Sequence, residues 1–339
     1  MEHLGLVGLP DSGHGRLFAA LTGHDEPGGF EPVKGIATLP DDRVDQLGAM
    51  SQSEKLVYAT FEVDYIPGVA PGGKAGEGLG SKLLGRLNDC DAILFVLRST
   101  GADPADDLAT LEYELVLADL GSVEQRLDRQ RRAAKGDKSL QPEVDALERA
   151  EAVLAAGDPV YRSNLTEDER ALLAPVFLLT NKPVLSVVDI GEDELASAEE
   201  VARPLGPDAL AVSTALEAEI AACAPADRPD LLASFGLAES VLPRLARSAY
   251  HLLGRRTFLT TGEKESRAWS FRAGAKAPEC AGVIHSDLER GFIRAEVIDW
   301  RELLDIGSWA KAKELGKLRV EGKDYEVADG DVLEIRFNV

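Results

Sequence analysis

Short apolar runs punctuate the first hundred residues, and each ends in a turn signal. His3-Leu4-Gly5-Leu6-Val7 leads into a glycine-bearing loop. Thr60-Phe61-Glu62-Val63-Asp64-Tyr65-Ile66 alternates apolar and acidic positions before Pro67-Gly68, and Ala92-Ile93-Leu94-Phe95-Val96-Leu97 is apolar throughout. Runs of this length read as strands, half-buried where they alternate and covered on both faces where they do not. Pro183 to Val188 and Ala209 to Val212 supply two more. Helical stretches separate them, the first opening with Arg16-Leu17-Phe18, so the pattern predicts a doubly wound α/β domain.

Between the third and fourth of these strands the period changes. Asp103-Pro104 is an N-cap with proline at the first helical position. Val116, Leu120, Val123 and Leu127 then recur at 4, 3, 4 spacing, the stripe of a coiled coil. A Gly136-Asp137-Lys138 turn leads to a return helix carrying Val144, Leu147, Ala150 and Leu154, and Thr166-Glu167-Asp168-Glu169 is a capping box. Residues 103–171 therefore predict an antiparallel helical coiled-coil hairpin inserted into an α/β domain of residues 1–102 and 172–255. From Arg256 onward, runs such as Thr257-Phe258-Leu259-Thr260 and Asp331-Val332-Leu333-Glu334-Ile335-Arg336-Phe337 predict a small β-rich domain over 256–339.

Composition narrows the function classes. The 339 residues carry a formal charge of −22, which excludes binding of nucleic acid by bulk attraction. Residues 256–339 hold 14 Lys+Arg against 16 Asp+Glu, so almost all of the excess lies before them. The hairpin gathers Arg126, Arg129, Arg131, Arg132 and Lys135, a candidate partner-binding patch on an otherwise acidic chain. Cys90, Cys223 and Cys280 have no ligand-like spacing and read as reduced thiols, and no metal site is expected. Met1-Glu2-His3 does not open a leader, and no apolar run reaches the roughly 18 residues of a membrane span. A cytoplasmic protein without membrane contact is expected.

The loop between the first strand and first helix reads Gly8-Leu9-Pro10-Asp11-Ser12-Gly13-His14-Gly15-Arg16. Its layout is that of a phosphate-binding loop, G-x-x-x-x-G-K-[ST], in which backbone N–H groups wrap phosphate oxygens, Lys reaches the terminal phosphates and the hydroxyl holds Mg²⁺. Here His14 stands for the lysine and Gly15 for the hydroxyl. Charge-assisted hydrogen bonds are worth about 1.5–3 kcal/mol each, so the two losses together would weaken triphosphate binding by roughly two to four orders of magnitude. Arg16, one turn into the helix, is the candidate for rescue.

The sequence resembles the YchF-type Obg-like ATPases, a branch of the translation-factor-related P-loop GTPases, over essentially its whole length. The resemblance is carried by Gly8-Leu9-Pro10, Gly76-Glu77-Gly78-Leu79-Gly80, the hairpin, and a tail with Gly291 to Ile298, Glu321 to Val332 and Phe337-Asn338-Val339. It implies a nucleotide-binding domain, an inserted hairpin and a C-terminal ubiquitin-like β-grasp module, the TGS domain. It further implies ATP hydrolysis, often in preference to GTP, and association with ribosomes.

Against that family pattern the departures concentrate on phosphate and metal. The switch-region threonine, aligned back from Glu31-Pro32 and Pro40-Asp41, falls on Gly29. The aspartate three residues before Gly68 falls on Tyr65, with Asp64 one residue early and usable only through a bulge. The proposed catalytic histidine falls on Phe95. Asn181-Lys182-Pro183-Val184 mimics a guanine-specifying motif but precedes its strand and lacks the aspartate. The base-contacting positions are instead Asp189 and Glu192, with Ser213 and Thr214 in the last loop. The expectation is a pseudo-NTPase with no catalytic residue, acting as a ribosome- or translation-associated module. ATP or GTP would bind weakly and without need of Mg²⁺. The alternative is a slow ATPase in which Arg16 or His14 replaces lysine; a third is a module that takes a nucleotide without metal, or another anion, at the helix N-terminus.

Overall fold

The computed structural model describes residues 2–29, 31–67 and 81–338, the side chains of 81–83 excepted. The chain divides into two compact units, Met1–Ile36 with Glu62–Leu245, and Ala37–Phe61 with Ala246–Val339. The strands are β1 (His3–Gly8), β2 (Val33–Thr38), β3 (Leu56–Val57), β4 (Thr60–Ile66), β5 (Ala92–Arg98), β6 (Val184–Asp189), β7 (Leu210–Val212), β8 (Arg255–Thr260), β9 (Ser266–Arg272), β10 (Phe292–Asp299), β11 (Arg319–Glu321) and β12 (Asp331–Phe337).

The first sheet runs β2-β4-β1-β5-β6-β7. From β4 through β1, β5 and β6 to β7, each strand runs parallel to the next. The unbroken Ile93-Leu94-Phe95-Val96-Leu97 run is fully buried, as a central strand covered on both faces requires. From β1 the chain places β4 on one side and β5 on the other, so the carboxyl end of β1, at Gly8, is a topological switch point. Ligands of open α/β sheets bind at such points.

Five helices bear on the site and the hairpin: α1 (His14–Thr22), α2 (Asp42–Ser51), α3 (Ser81–Asn88), α4 (Pro104–Ala133) and α5 (Gln141–Ala155). Asp103 caps α4, its carboxylate accepting the Ala105 N–H at 2.9 Å. Val116, Val123 and Leu127 of α4 pack with Val144, Leu147, Ala150 and Leu154 of α5 in one buried cluster, with Leu120 at its margin. The first half of α4 does something the spacing did not reveal. Leu108, Leu111 and Leu115 join Phe95 and Leu97 in the core of the sheet, so one helix serves two cores.

In the second unit the sheet order is β11-β10-β12-β8-β9-β3. The strands β8 and β9 form an antiparallel pair, β12 runs parallel to β8, and helix Ala277–Ile284 covers one face. Phe258, Phe271, Ala277, Cys280, Ala281, Ala295 and Val297 make the core. Residues 37–61 belong here because β3 adds to the edge of β9, Ser53 Oγ donates to the Gly262 carbonyl at 2.7 Å, and the partly buried Arg43 binds Asp41, Asp329 and Thr257. No helix among the described residues is long and apolar enough to cross a membrane.

Candidate functional site

The strand-loop-helix unit turns on two glycines. Gly13 has φ 77°, and a Cβ there would lie 2.2 Å from Asp189 Oδ2 and 2.6 Å from Thr214 Oγ1, so neither its backbone conformation nor its surroundings admit a side chain. A Cβ on Gly8 would lie 2.0 Å from Ser12 Oγ and 3.0 Å from His14 Nδ1. The loop thus folds down onto the strand end, held by the Ser12 N–H to Leu9 carbonyl bond at 3.1 Å, with Asp11 also at positive φ.

The side chain of His14 is drawn into this fold. Only 7% of it is exposed; Nδ1 shares a 2.9 Å hydrogen bond with Ser12 Oγ, and the ring stacks on Tyr65 with centroids 5.0 Å apart and planes 15° from parallel. Burial pushes the imidazole pKa down to about 4, so the position of a phosphate-binding lysine holds an uncharged ring at neutral pH. Its Nε2 is buried with no hydrogen-bond partner among the described residues. Burial first, and the charge of Glu26 second, raise the Tyr65 phenol.

At Gly15 the place of the missing hydroxyl faces a carboxylate among the described residues. A Cβ there would meet Glu26 Oε1 at 3.2 Å, so an acidic side chain from the segment after α1 rests against the glycine. Gly29, also at positive φ, offers no oxygen beyond its backbone. Gly68 and residues 76–80 lie outside the described residues.

Asp64 does not reach the face expected of the switch aspartate. The register Gly5↔Asp64 and Leu6↔Tyr65 is continuous, with no bulge, and alternation sends Asp64 to the face opposite Tyr65. There it lies 3.4 Å from Lys34 and 3.7 Å from His3. Phe95 is wholly buried in the sheet core. Among the described residues, a nucleotide-bound Mg²⁺, as the fold family implies, would find a glycine and a tyrosine where it needs oxygen ligands, and the phosphates an uncharged ring where they need a cation. The residues do not fit it.

The positions expected to contact a base are better furnished. Asp189, at the end of β6, accepts the Thr214 N–H at 2.9 Å and the Arg16 guanidinium at 3.2 Å, while Arg16 Nε donates to Thr214 Oγ1 at 3.1 Å. Three segments far apart in sequence are tied here, and the charge of Arg16 is committed to Asp189. Ser213 caps the helix Thr214–Ala222. Asp11, Arg16, Asp189, Glu192 and Ser213 line a common pocket of about 520 Å³. Arg98 and Thr100, which no sequence motif singles out, line it too. Arg98 binds Asp107 through two nitrogens at 2.8 and 2.7 Å and reaches the Pro10 carbonyl at 3.5 Å. Those bonds overcome burial and hold the Asp107 carboxyl below its usual range. An arginine closing a fully apolar strand was the available signal.

Two other sequence features resolve simply. Lys182 donates to the Asn88 and Cys90 carbonyls, and Asn181 to the Arg170 carbonyl, so the mimic motif is structural. On the hairpin, Arg126 pairs with Glu143 at 2.7 Å and Arg131 with Glu148 at 2.9 Å. Arg129, Arg132 and Lys135 are exposed and have no ion pair among the described residues.

Comparison with known proteins agrees with this architecture. Residues 256–338 match the family described as "YchF-GTPase_C: Protein of unknown function (DUF933)". The chain is 39% identical to the Ribosome-binding ATPase YchF of Bacillus subtilis, covering 99% of each, and 37% identical to that of Escherichia coli O157:H7, again over 99% of each. The structure of the Schizosaccharomyces pombe YchF GTPase superposes with a TM-score of 0.87 at 26% identity, over 99% of this chain and 97% of that one. The fold is the α/β P-loop GTPase fold, and by full-length identity to these relatives the chain belongs to the YchF family.

Proposed function

We propose that this chain is a pseudo-NTPase of the YchF family, a ribosome- or translation-associated binding module of the cytoplasm. In this reading residues 1–102 and 172–255 form the G domain, 103–171 the inserted coiled-coil hairpin, and 256–339 a TGS module with a β-grasp fold. The relatives' names supply the ribosome and the nucleotide. The departure from hydrolysis rests on one observation: His14 is buried, uncharged and stacked on Tyr65 at the lysine position of the loop.

A second reading, nucleotide bound without metal, is favoured by the pocket beside Asp189. In the tautomer where Ser12 Oγ donates to His14 Nδ1, Nε2 carries a proton with no partner among the described residues, and the unpaired amides of the α1 N-terminus belong to the same loop. That arrangement suits one anionic group and gives no charge to a leaving phosphate.

The test is ATP and GTP binding with and without Mg²⁺, alongside hydrolysis. Weak binding indifferent to Mg²⁺ is expected, and turnover of about 0.1 s⁻¹ or faster, approaching the usual enzyme range of about 1–10³ s⁻¹, would overturn the proposal. His14→Lys with Gly15→Ser should raise affinity and restore little hydrolysis, because Tyr65 and Phe95 remain.

A further inference from the structure

Three neighbouring strands, β2, β4 and β1, bring Lys34, Glu62, Asp64 and His3 together on the sheet face opposite Tyr65. The parallel register sets His3 beside Glu62, and Asp64 follows two residues on, pointing the same way. His3 Nδ1 lies 3.2 Å from Glu62 Oε2 and 3.7 Å from Asp64 Oδ2, and the three ligand atoms lie within 4.8 Å of one another. Only 5% of the Asp64 side chain is exposed. Its Oδ1 has no hydrogen-bond partner among the described residues, although the same carboxylate faces His3 and Lys34 through Oδ2. A buried carboxylate oxygen left unpaired calls for an explanation.

Lys34 does not provide it. Its ammonium stands 3.3 Å from His3 Nδ1, 3.4 Å from Asp64 Oδ2 and 3.9 Å from Glu62 Oε2, on a stem that is 54% exposed. It is a compact charge on a four-carbon stem beside the ligand set, with the stem open to solvent.

We propose that His3, Glu62 and Asp64 bind a first-row divalent cation of the zinc class, the Lys34 ammonium holding the place until the ion displaces it. Tetrahedral zinc bonds of about 2.0–2.2 Å put ligand atoms roughly 3.3–3.6 Å apart, which the His3–Glu62 and His3–Asp64 separations bracket. One imidazole with two carboxylates suits zinc, cobalt or manganese; magnesium and calcium prefer all-oxygen sets. Asp64 Oδ1 gains an electrostatic partner in the bound ion, and the fourth position falls to water.

The test is titration of tag-free, full-length protein with Co²⁺, read by its visible d–d absorption, followed by competition with Zn²⁺. One equivalent bound and displaced by Zn²⁺ is expected. His3→Gln and Asp64→Asn each remove a ligand and should weaken binding by at least the about 10–100-fold typical of losing an outer-shell partner. Lys34→Gln should tighten it about tenfold, by removing a like charge from the site. That variant separates the two possibilities, since an ion-pair cluster without a metal role would only lose melting temperature, unrecovered by Zn²⁺. Absence of a stoichiometric band in both wild type and Lys34→Gln, or unchanged affinity in His3→Gln, would overturn the site. Should Asp64→Asn fail to fold by circular dichroism, the exposed Lys34 and edge-lying His3 variants decide it.

Discussion

His14 is both the residue that removes charge from the loop and a built-in acid sensor. Its imidazole titrates near pH 4 in the folded chain, against an ordinary value of 6.5. Between those values the unfolded chain takes up a proton that the folded one refuses, so stability falls as pH falls. The His14 contribution is fully present above about pH 6.5 and is lost as pH drops through about 4. From pH 7 to 4.5 it should amount to about 2–3 kcal/mol, the unfolded ring being protonated over about two pH units at 1.36 kcal/mol each. Urea midpoints at the two pH values check this: His14→Gln should lose that much less on acidification than the wild type, the carboxylates affecting both alike. Coincident losses would mean that the ring is not held in its buried position. The same desolvation bears on the site, because a ring uncharged at neutral pH offers a terminal phosphate no cation where lysine would.

At the scale of elements, α4 links the sheet core to the hairpin core, and Asp119 sits at the junction. Its buried carboxylate accepts the N–H groups of Leu179 and Thr180 at 2.9 and 2.7 Å and the Thr180 hydroxyl at 2.7 Å. Burial raises its pKa, and these bonds only partly counter that. Asp119→Ala would strand three buried donors at about 1–3 kcal/mol each, so a loss of at least about 3 kcal/mol is expected in urea denaturation. Asp119→Asn, which keeps an accepting oxygen, should lose less. The strands β1 and β5 and the α4–α5 stripe were legible because each is a local period written in apolar residues. The tie among Arg16, Asp189 and Thr214 was not, since it exists only through the order β1-β5-β6-β7, which no local period encodes. Asp189 and Thr214 could be named as base-side positions, but not the diversion of Arg16 onto them. Glu26 lies in a stretch with no periodicity, and its approach to Gly15 left no trace in the sequence. The two-residue β3 is likewise too short to carry an alternation, which is why residues 37–61 were not assigned to the second unit.

At the scale of the whole molecule, a chain of net charge −22 approaches RNA only through local cationic surface. The hairpin gathers such surface, but the five basic residues from Arg126 to Lys135 are not equivalent. Arg126 and Arg131 are held by Glu143 and Glu148, and reversing Arg126 would break a pair within the hairpin itself. Arg129, Arg132 and Lys135 are exposed and unpaired among the described residues, so their charge is available to phosphate. If the hairpin is the contact, the protein should co-sediment with ribosomes at low salt and release as ionic strength rises, because phosphate contacts liberate counterions. Replacing Arg129, Arg132 and Lys135 together with Glu should weaken co-sedimentation and lower the salt slope by about 1 for each phosphate no longer neutralised. The fold should survive, since Val116, Val123 and Leu127 face the other way into the α4–α5 cluster. A triple variant that sediments like its parent would shift the contact to residues 256–339, whose 14 basic and 16 acidic side chains leave them the one long stretch close to neutrality. Failure of the parent to sediment at any salt concentration would remove the ribosome from the proposed function and leave the pocket beside Asp189 as its remaining support.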